Sequence, residues 1–404
     1  MSYELVFPKR VVFGVGKRRD IGALSRPLGL RAVIVCGSRT LEQNGLLREI
    51  IANLEESGIS ILSTQTITHE PEVSDADDLV DRLRSSFMPG DFVIGFGGGS
   101  AIDLAKTVAA LLPQKPNSNK TFSVKDYLEG VGSGLTLKQL PLPIVAVPTT
   151  AGTGAEATKN AVIASYDPPF KKSLRDNALM PSLVVADPEL TMFCPPKITA
   201  AAGMDAVTQL LESYVSKKHQ PVTDALVEQA LPAAVKALTV LGKTALIDWG
   251  EKEILAERSA IMHAALLSGI ALANAGLGMA HGIAPALGTH CRIPHGTACS
   301  LLLPITLRTN ADVCLDRYAK LGRLVIGSTN SSGNRVSDEA AAEQLISKIE
   351  EVCEILMMPK TLTEAGVSAD LIPALAADSQ GASMSGNPKT LTASDIENIL
   401  RKLV

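Results

Sequence analysis

DFVIGFGGGSAIDLAKTVAALL, from Asp91 to Leu112, passes from an apolar run through three glycines and a serine into a helical pattern. Asp91 to Gly97 is nearly continuous in apolar and small residues, as expected of a strand buried on both faces of a parallel sheet. Ala101 to Leu112 carries the apolar spacing of a helix. Gly97, Gly98, Gly99 and Ser100 fall at the turn between them. Residues without a side chain let the backbone approach a phosphate there, and the helix N-terminus attracts the anion. The same residues also suit a tight turn with no ligand, and the triplet alone does not decide between the two. Asp103 and Lys106, three apart on the helix, can make a simple surface ion pair.

Upstream the same alternation repeats. Arg10 to Gly14 and Arg31 to Gly37 read as strands, the latter followed by a helix from about Leu41 to Glu56 that Gly58 closes. Ile59 to Thr66 reads as strand, and Ser74 to Ser86 as helix with Ser74 and Asp77 as its capping box. This βαβαβ order predicts a doubly wound, mostly parallel sheet. Downstream, Gln114 to Gln139 reads as a long loop. Ile144 to Val147 is a strand running into PTTAGTGAE (Pro148 to Glu156), a second small, hydroxyl-rich loop at a strand end. Two such loops in an open sheet can face one ligand crevice. Ala161 to Ser165 and Leu183 to Ala186 are further strands, with Lys171 between them.

After Asp187-Pro188 the patterns turn helical, and Pro195-Pro196 marks the change. The expected organisation is an α/β nucleotide-binding domain over 1–190 and an all-helical domain over 191–404. The helical half holds LGMAHGIAPALGTHCRIPHG (Leu277 to Gly296), with His281, His290 and His295, at the end of an apolar helical run from Ala264 to Ala280. Upstream, Asp205 and Gln209 stand at i and i+4 on one helical face. One carboxylate, one amide and two imidazoles can make a four-ligand metal site. Cys299 reads as a small buried hydrophobe. His263 reads as a packed core residue and His290 as more structural than substrate-facing. His69 and His219 read as surface residues, and Asp378 to Lys389 as a loop. Thr392 and Asp395 form a capping box for a last helix, Ala393 to Val404.

Totals narrow the classes. A chain of 404 residues exceeds one ordinary core. Only 3% aromatic residues and a net charge of −4 argue against nucleic acid as partner. Six cysteines without paired spacing read as reduced thiols of a cytoplasmic protein. The N-terminus lacks the order of a signal peptide. Ser268 and Asn274 interrupt the long apolar run, which reads as a buried helix rather than a membrane span.

Taken together, GGGSAIDLAK from Gly97, PTTAGTGAE from Pro148, VADPEL from Val185, GMDAVTQLLESYVS from Gly203, NAGLGMAHGIAPALG from Asn274 and IPHG from Ile293 resemble the iron-containing (group III) alcohol dehydrogenase family, in order and over essentially the whole chain. The resemblance implies a dehydroquinate synthase-like architecture, NAD(P) on the first domain, and a divalent metal, iron before zinc, in the helical one. Carried over by motif, Gly98, Gly99 and Ser100 hold the pyrophosphate with Asp103 nearby. Thr149, Thr150 and Thr153 line the cofactor channel, and Lys171 lies near the nicotinamide ribose. Asp205, Gln209, His281 and His295 take the metal-ligand positions. The implied activity is hydride transfer between nicotinamide and a small alcohol or aldehyde; a homodimer, the commonest closed assembly, is expected by default. The metal polarises the substrate oxygen while the protein positions the partners.

Three departures from the family pattern matter. Gln209 stands where most members have histidine, and an amide oxygen is a weaker donor than imidazole. Pro285 replaces a histidine found near the substrate in many members, so proton transfer falls to water at the metal, the cofactor ribose or another group. Gly37-Ser38-Arg39 follows the first long strand where NAD-preferring members carry an aspartate. Nothing acidic there repels a 2′-phosphate, and Arg39 can pair with one, so NADPH should be accepted. Three other readings stay open: a metal-independent reductase resembling the maleylacetate reductases, a lyase resembling dehydroquinate synthase, and a nucleotide-binding module without catalysis.

Overall fold

A computed structural model describes residues 2–115, 122–243, 254–329 and 334–404. The chain divides into two compact units. One comprises Val6–Thr150 and Gly154–Thr191, the other Met192–Val404 with Ala151–Thr153 and the residues before Val6.

The first unit is built on β1 (Val11–Phe13), β2 (Arg31–Cys36), β3 (Ser60–Thr66), β4 (Asp91–Gly97), β5 (Ile144–Pro148) and β8 (Leu183–Ala186). They form one sheet in the order β1-β8-β5-β4-β2-β3, and every pairing is parallel. Its helices are α1 (Ile21–Ser25), α2 (Arg39–Gln43), α3 (Leu46–Glu56), α4 (Val73–Leu83) and α5 (Gly99–Leu111). All seven residues of β4 are buried, as its apolar run requires. From β2 the chain steps outward to β3 and then returns to the other side of β2 as β4. The order therefore reverses between β2 and β4, where ligands of open α/β sheets bind.

Four local expectations are corrected. Residues 41–56 form two helices, because Asn44-Gly45 breaks them with Gly45 at φ +81°. The cap of α4 is Glu72 with Asp75. Lys171 lies within β7 (Pro169–Arg175), which pairs antiparallel with β6 (Asn160–Tyr166) as a separate hairpin. Lys106 is no surface residue: it is fully buried. Part of the expected loop 114–139, residues 116–121, lies outside the described residues.

The second unit is helical: α6 (Pro196–Val215), α7 (Pro221–Lys243), α8 (Leu255–Ala275), α9 (Met279–Cys291), α10 (His295–Asn310), α11 (Leu315–Val325), α12 (Asp338–Ile355), α13 (Ile372–Asp378) and α14 (Ala393–Arg401). Thr392 and Asp395 cap α14 as expected. The apolar run Ala264 to Ala280 is not one helix. It stops at Ala275, Gly276 adopts φ +71°, and α9 starts anew at Met279. α7 and α8 are long and apolar enough to cross a membrane, but half or more of each apolar window is buried within the protein. Asp378 to Lys389 is largely loop, as expected, and is anchored at Asn387. Buried Asn387 accepts from the Met279 backbone N–H at 3.2 Å and exchanges two bonds with Asn310 at 2.9 and 3.0 Å.

Candidate functional site

The break at Gly276 puts His281 in the first turn of α9, where backbone N–H groups lack intrahelical partners. Glu212 of α6 supplies one. Its Oε1 accepts from the Ala280 N–H at 2.6 Å, and its Oε2 lies 2.7 Å from His281 Nδ1. A carboxylate there holds a proton on Nδ1 and orients the ring so that Nε2 is the nitrogen a metal would take. That Nε2 lies 3.1 Å from Asp205 Oδ1. At the end of α9, Arg292 turns left-handed at φ 57° and Pro294 starts α10, whose first residue is His295. The Nε2 of His295 is 3.8 Å from the same Asp205 oxygen.

Asp205, Gln209 and Glu212 follow the i, i+4, i+7 stripe of α6, and each is at most 2% exposed. Gln209 Oε1 accepts from Ser268 Oγ at 2.7 Å, while its side chain also hydrogen-bonds Asp205. The structure thus places Gln209 between α8 and the Asp205 carboxylate. Cys299, one turn beyond His295 on α10, completes the cluster. Its Sγ lies 3.6 Å from His281 Nε2 and 3.7 Å from His295 Nε2. One donor atom each from Asp205, His281, His295 and Cys299 fall within 4.8 Å of one another.

Burial works against charge on Asp205, yet the two imidazoles hold its carboxyl below the usual range. Burial likewise opposes charge on His281, but Cys299, Asp205 and Glu212 together raise it well above an ordinary histidine. Sequence reasoning missed Glu212; Cys299 is buried in the apolar core as expected, and its place beside the two imidazoles was not foreseen. Both were visible as positions, seven residues after Asp205 and four after His295. The missing signal was that α6 and α10 aim those faces at one point.

In the α/β unit, the turn after β4 is half-exposed at Gly98, Gly99 and Ser100, while β4 itself is buried. Gly37 directly follows β2 and Gly97 ends β4, so both stand at the switch point. A Cβ on Gly97 would lie 2.6 Å from Gly37 Cα, and its φ of +157° suits glycine alone. Backbone thus meets backbone there, leaving the N-terminus of the 13-residue α5 open to a phosphate. Thr149 donates its N–H to the Gly97 carbonyl at 2.9 Å, and Thr150 packs beside Gly98. Thr153 is counted with the helical unit, where Gly152 lies against Ala202 of α6. Ser38 precedes α2 in an extended conformation, and Arg39 is exposed.

Lys106 holds the loop after Thr153. Its Nζ donates to the carbonyls of Ala155, Thr158 and Asn160 at 2.5, 2.7 and 3.1 Å. Burial lowers its pKa, and burial raises those of its neighbours Asp103 and Glu156. Lys171 pairs with Glu70 at 2.6 Å and is close enough to Asp103 to favour its charged form. The VADPEL motif has a structural task. Asp187 accepts from the backbone N–H groups of Gly16 and Arg18 at 3.0 Å each, and from Arg18 Nη1 at 3.1 Å. Of the other histidines, His290 pairs with Asp378 at 2.6 Å, His69 with Asp75 at 2.9 Å, and His219 with Asp224 at 3.1 Å.

A parallel sheet with a glycine turn at its switch point suits a dinucleotide, and a helical unit with a largely buried carboxylate–imidazole cluster suits a metal ion. Residues 8–188 match the family model for iron-containing alcohol dehydrogenase, and 199–404 match that for the Fe-containing alcohol dehydrogenase family, C-terminal. The chain belongs to the iron-containing alcohol dehydrogenase family. It is 30% identical over 367 residues to the NADPH-dependent butanol dehydrogenase of Clostridium saccharobutylicum, covering 90% of this chain and 87% of that one. It is 29% identical over 395 residues to the NAD-dependent methanol dehydrogenase of Bacillus methanolicus, covering 98% of each. The structure is similar to that of a 1,3-propanediol oxidoreductase, with a TM-score of 0.88 at 27% identity over the whole of both chains.

Proposed function

We propose that this protein transfers a hydride between NAD(P)(H) and a small alcohol or aldehyde with the help of a divalent metal. The convergence of buried Asp205 and His281 with half-buried His295 carries the reading. A carboxylate oxygen and two imidazole nitrogens suit ferrous iron or zinc, and the family's iron favours the former. Residues 1–190 are assigned to the cofactor and 191–404 to metal and substrate. When bound, the metal polarises the substrate oxygen and the nicotinamide gives or takes the hydride.

The chain's own residues set the stage. Glu212 keeps the His281 Nε2 lone pair aimed at the cation, and Gln209 steadies the Asp205 carboxylate. Gly97, Gly98, Gly99 and Ser100 receive the pyrophosphate at the head of α5, with Asp103 behind them. Thr149, Thr150 and Thr153 line the nicotinamide's path, with Lys171 near its ribose. Ser38 and Arg39 meet the adenosine ribose, so NADPH is accepted. Pro285 offers no proton relay, which leaves that role to the cofactor ribose or solvent. Relatives named for butanol, methanol and propanediol support a short substrate. We also place the protein in the cytoplasm as a homodimer, the commonest closed assembly. Six free cysteines support a reducing compartment.

The test is nicotinamide oxidation with a panel of short aldehydes by protein stripped of metal. NADPH and NADH are compared, with and without ferrous iron or zinc. Turnover should return with metal, and NADPH should serve at least as well as NADH. Equal turnover without metal would move the assignment to a metal-independent reductase. A clear preference for NADH would defeat the cofactor assignment.

A further inference from the structure

We propose that Cys299 is a metal ligand, so that the donor set of this chain is Asp205, His281, His295 and Cys299, with Gln209 a positioning residue. The inference rests on the metal reading above.

The first observation is the spacing of the donor atoms. A four-coordinate cation with bonds of about 2.0–2.1 Å to nitrogen and about 2.3 Å to sulfur sets sulfur and nitrogen roughly 3.6 Å apart across a tetrahedral angle. Cys299 Sγ stands 3.6 Å from one imidazole Nε2 and 3.7 Å from the other. For nitrogen and carboxylate oxygen the corresponding edge is about 3.3 Å, and the two found are 3.1 and 3.8 Å. The sulfur therefore stands at ligand spacing from both imidazoles, within 4.8 Å of the Asp205 donor atom.

The second observation is independent of the sulfur. The Gln209 carbonyl oxygen, the atom an amide would offer a metal, accepts from Ser268 at 2.7 Å. Its side chain also hydrogen-bonds Asp205. An amide held this way orients the carboxylate, and one of the two lone pairs of its oxygen is already engaged by Ser268. The position that departs from the family's histidine has become a support, while a thiol has been placed in reach. A thiolate is a stronger donor than an amide oxygen for either ferrous iron or zinc. On coordination the thiol proton leaves to water and the sulfur lone pair forms the bond, with no change of oxidation state.

The test uses cobalt(II) as a spectroscopic stand-in in the purified full-length protein. Cobalt bound through sulfur gives an intense thiolate-to-metal charge-transfer absorption in the near ultraviolet, whereas nitrogen and oxygen donors give only weak visible bands. The expected result is one cobalt per chain with the near-ultraviolet band. Cys299→Ser should abolish that band and weaken cobalt binding by at least the roughly 10- to 100-fold that loss of an outer-shell partner costs. Gln209→Ala should keep the band. X-ray absorption of the zinc-loaded wild-type protein needs no variant and should find one sulfur at about 2.3 Å. Cobalt bound with visible bands alone, or a band that persists in Cys299→Ser, would overturn the ligand assignment and leave the metal site intact. Failure of the wild type to bind cobalt or zinc would overturn the metal reading itself, and this inference with it.

Discussion

Glu212 serves two masters with one carboxylate. It caps the N-terminus of α9 and accepts the Nδ1 proton of His281. A glutamine there keeps a carbonyl oxygen for one task, but its NH2 must donate in the other. Facing an amide donor, His281 Nδ1 becomes the acceptor and the ring proton moves to Nε2, which removes the metal lone pair. Glu212→Gln should therefore weaken metal binding roughly 10- to 100-fold, read by competition with a chelator. Unchanged affinity would show that the tautomer is set elsewhere. Asp205, His281 and His295 were legible because their motifs carry them. Glu212 and Cys299 were not, because a buried glutamate and a core thiol take their meaning only from the helix opposite.

Helix contacts at the cluster depend on missing side chains. A Cβ on Gly296 would come within 2.3 Å of the Ala201 carbonyl oxygen on α6, one residue from His295. A Cβ on Gly322 of α11 would meet the Ala341 carbonyl oxygen of α12 at 2.0 Å. Neither neighbour is a flexible side-chain end, so helix must move from helix, at about 1–3 kcal/mol. Chemical denaturation should find Gly296→Ala and Gly322→Ala destabilised by comparable amounts. Only Gly296→Ala should also lower metal affinity, because it displaces α10 at His295; equal affinities would separate the crossing from the site. At this scale the parallel strands were readable from unbroken apolar runs. The breaks at Gly45 and Gly276 were not, since apolar spacing carries across them. β7 was missed because Lys171, Lys172 and Arg175 interrupt its apolar alternation, although Phe170 and Leu174 share its buried face.

Across the molecule, stability at neutral pH carries a term set in the α/β unit by Glu156. Burial raises its pKa from 4.5 to about 7. Between those values the folded state holds a proton that the unfolded chain has released, so folding loses stability as pH rises through that window. Glu156→Gln should flatten the decline between pH 4.5 and 7, measured by urea denaturation of the α/β unit. A slope unchanged from wild type would assign it to another group. The fold class was legible from alternating strands and helices followed by helices alone, because each element's period states how many of its faces are buried. Which loops such elements tie down was not, and Lys106 is the instance. Enclosed in the α/β unit and saturated with carbonyl partners, its amine has no contact with solvent. An acylating reagent can mark it only when that unit opens, as a thiol reagent can mark buried Cys353 only when the helical unit does. Pulse labelling followed by peptide mass mapping would thus time the opening of each half of the chain separately, with no engineered probe.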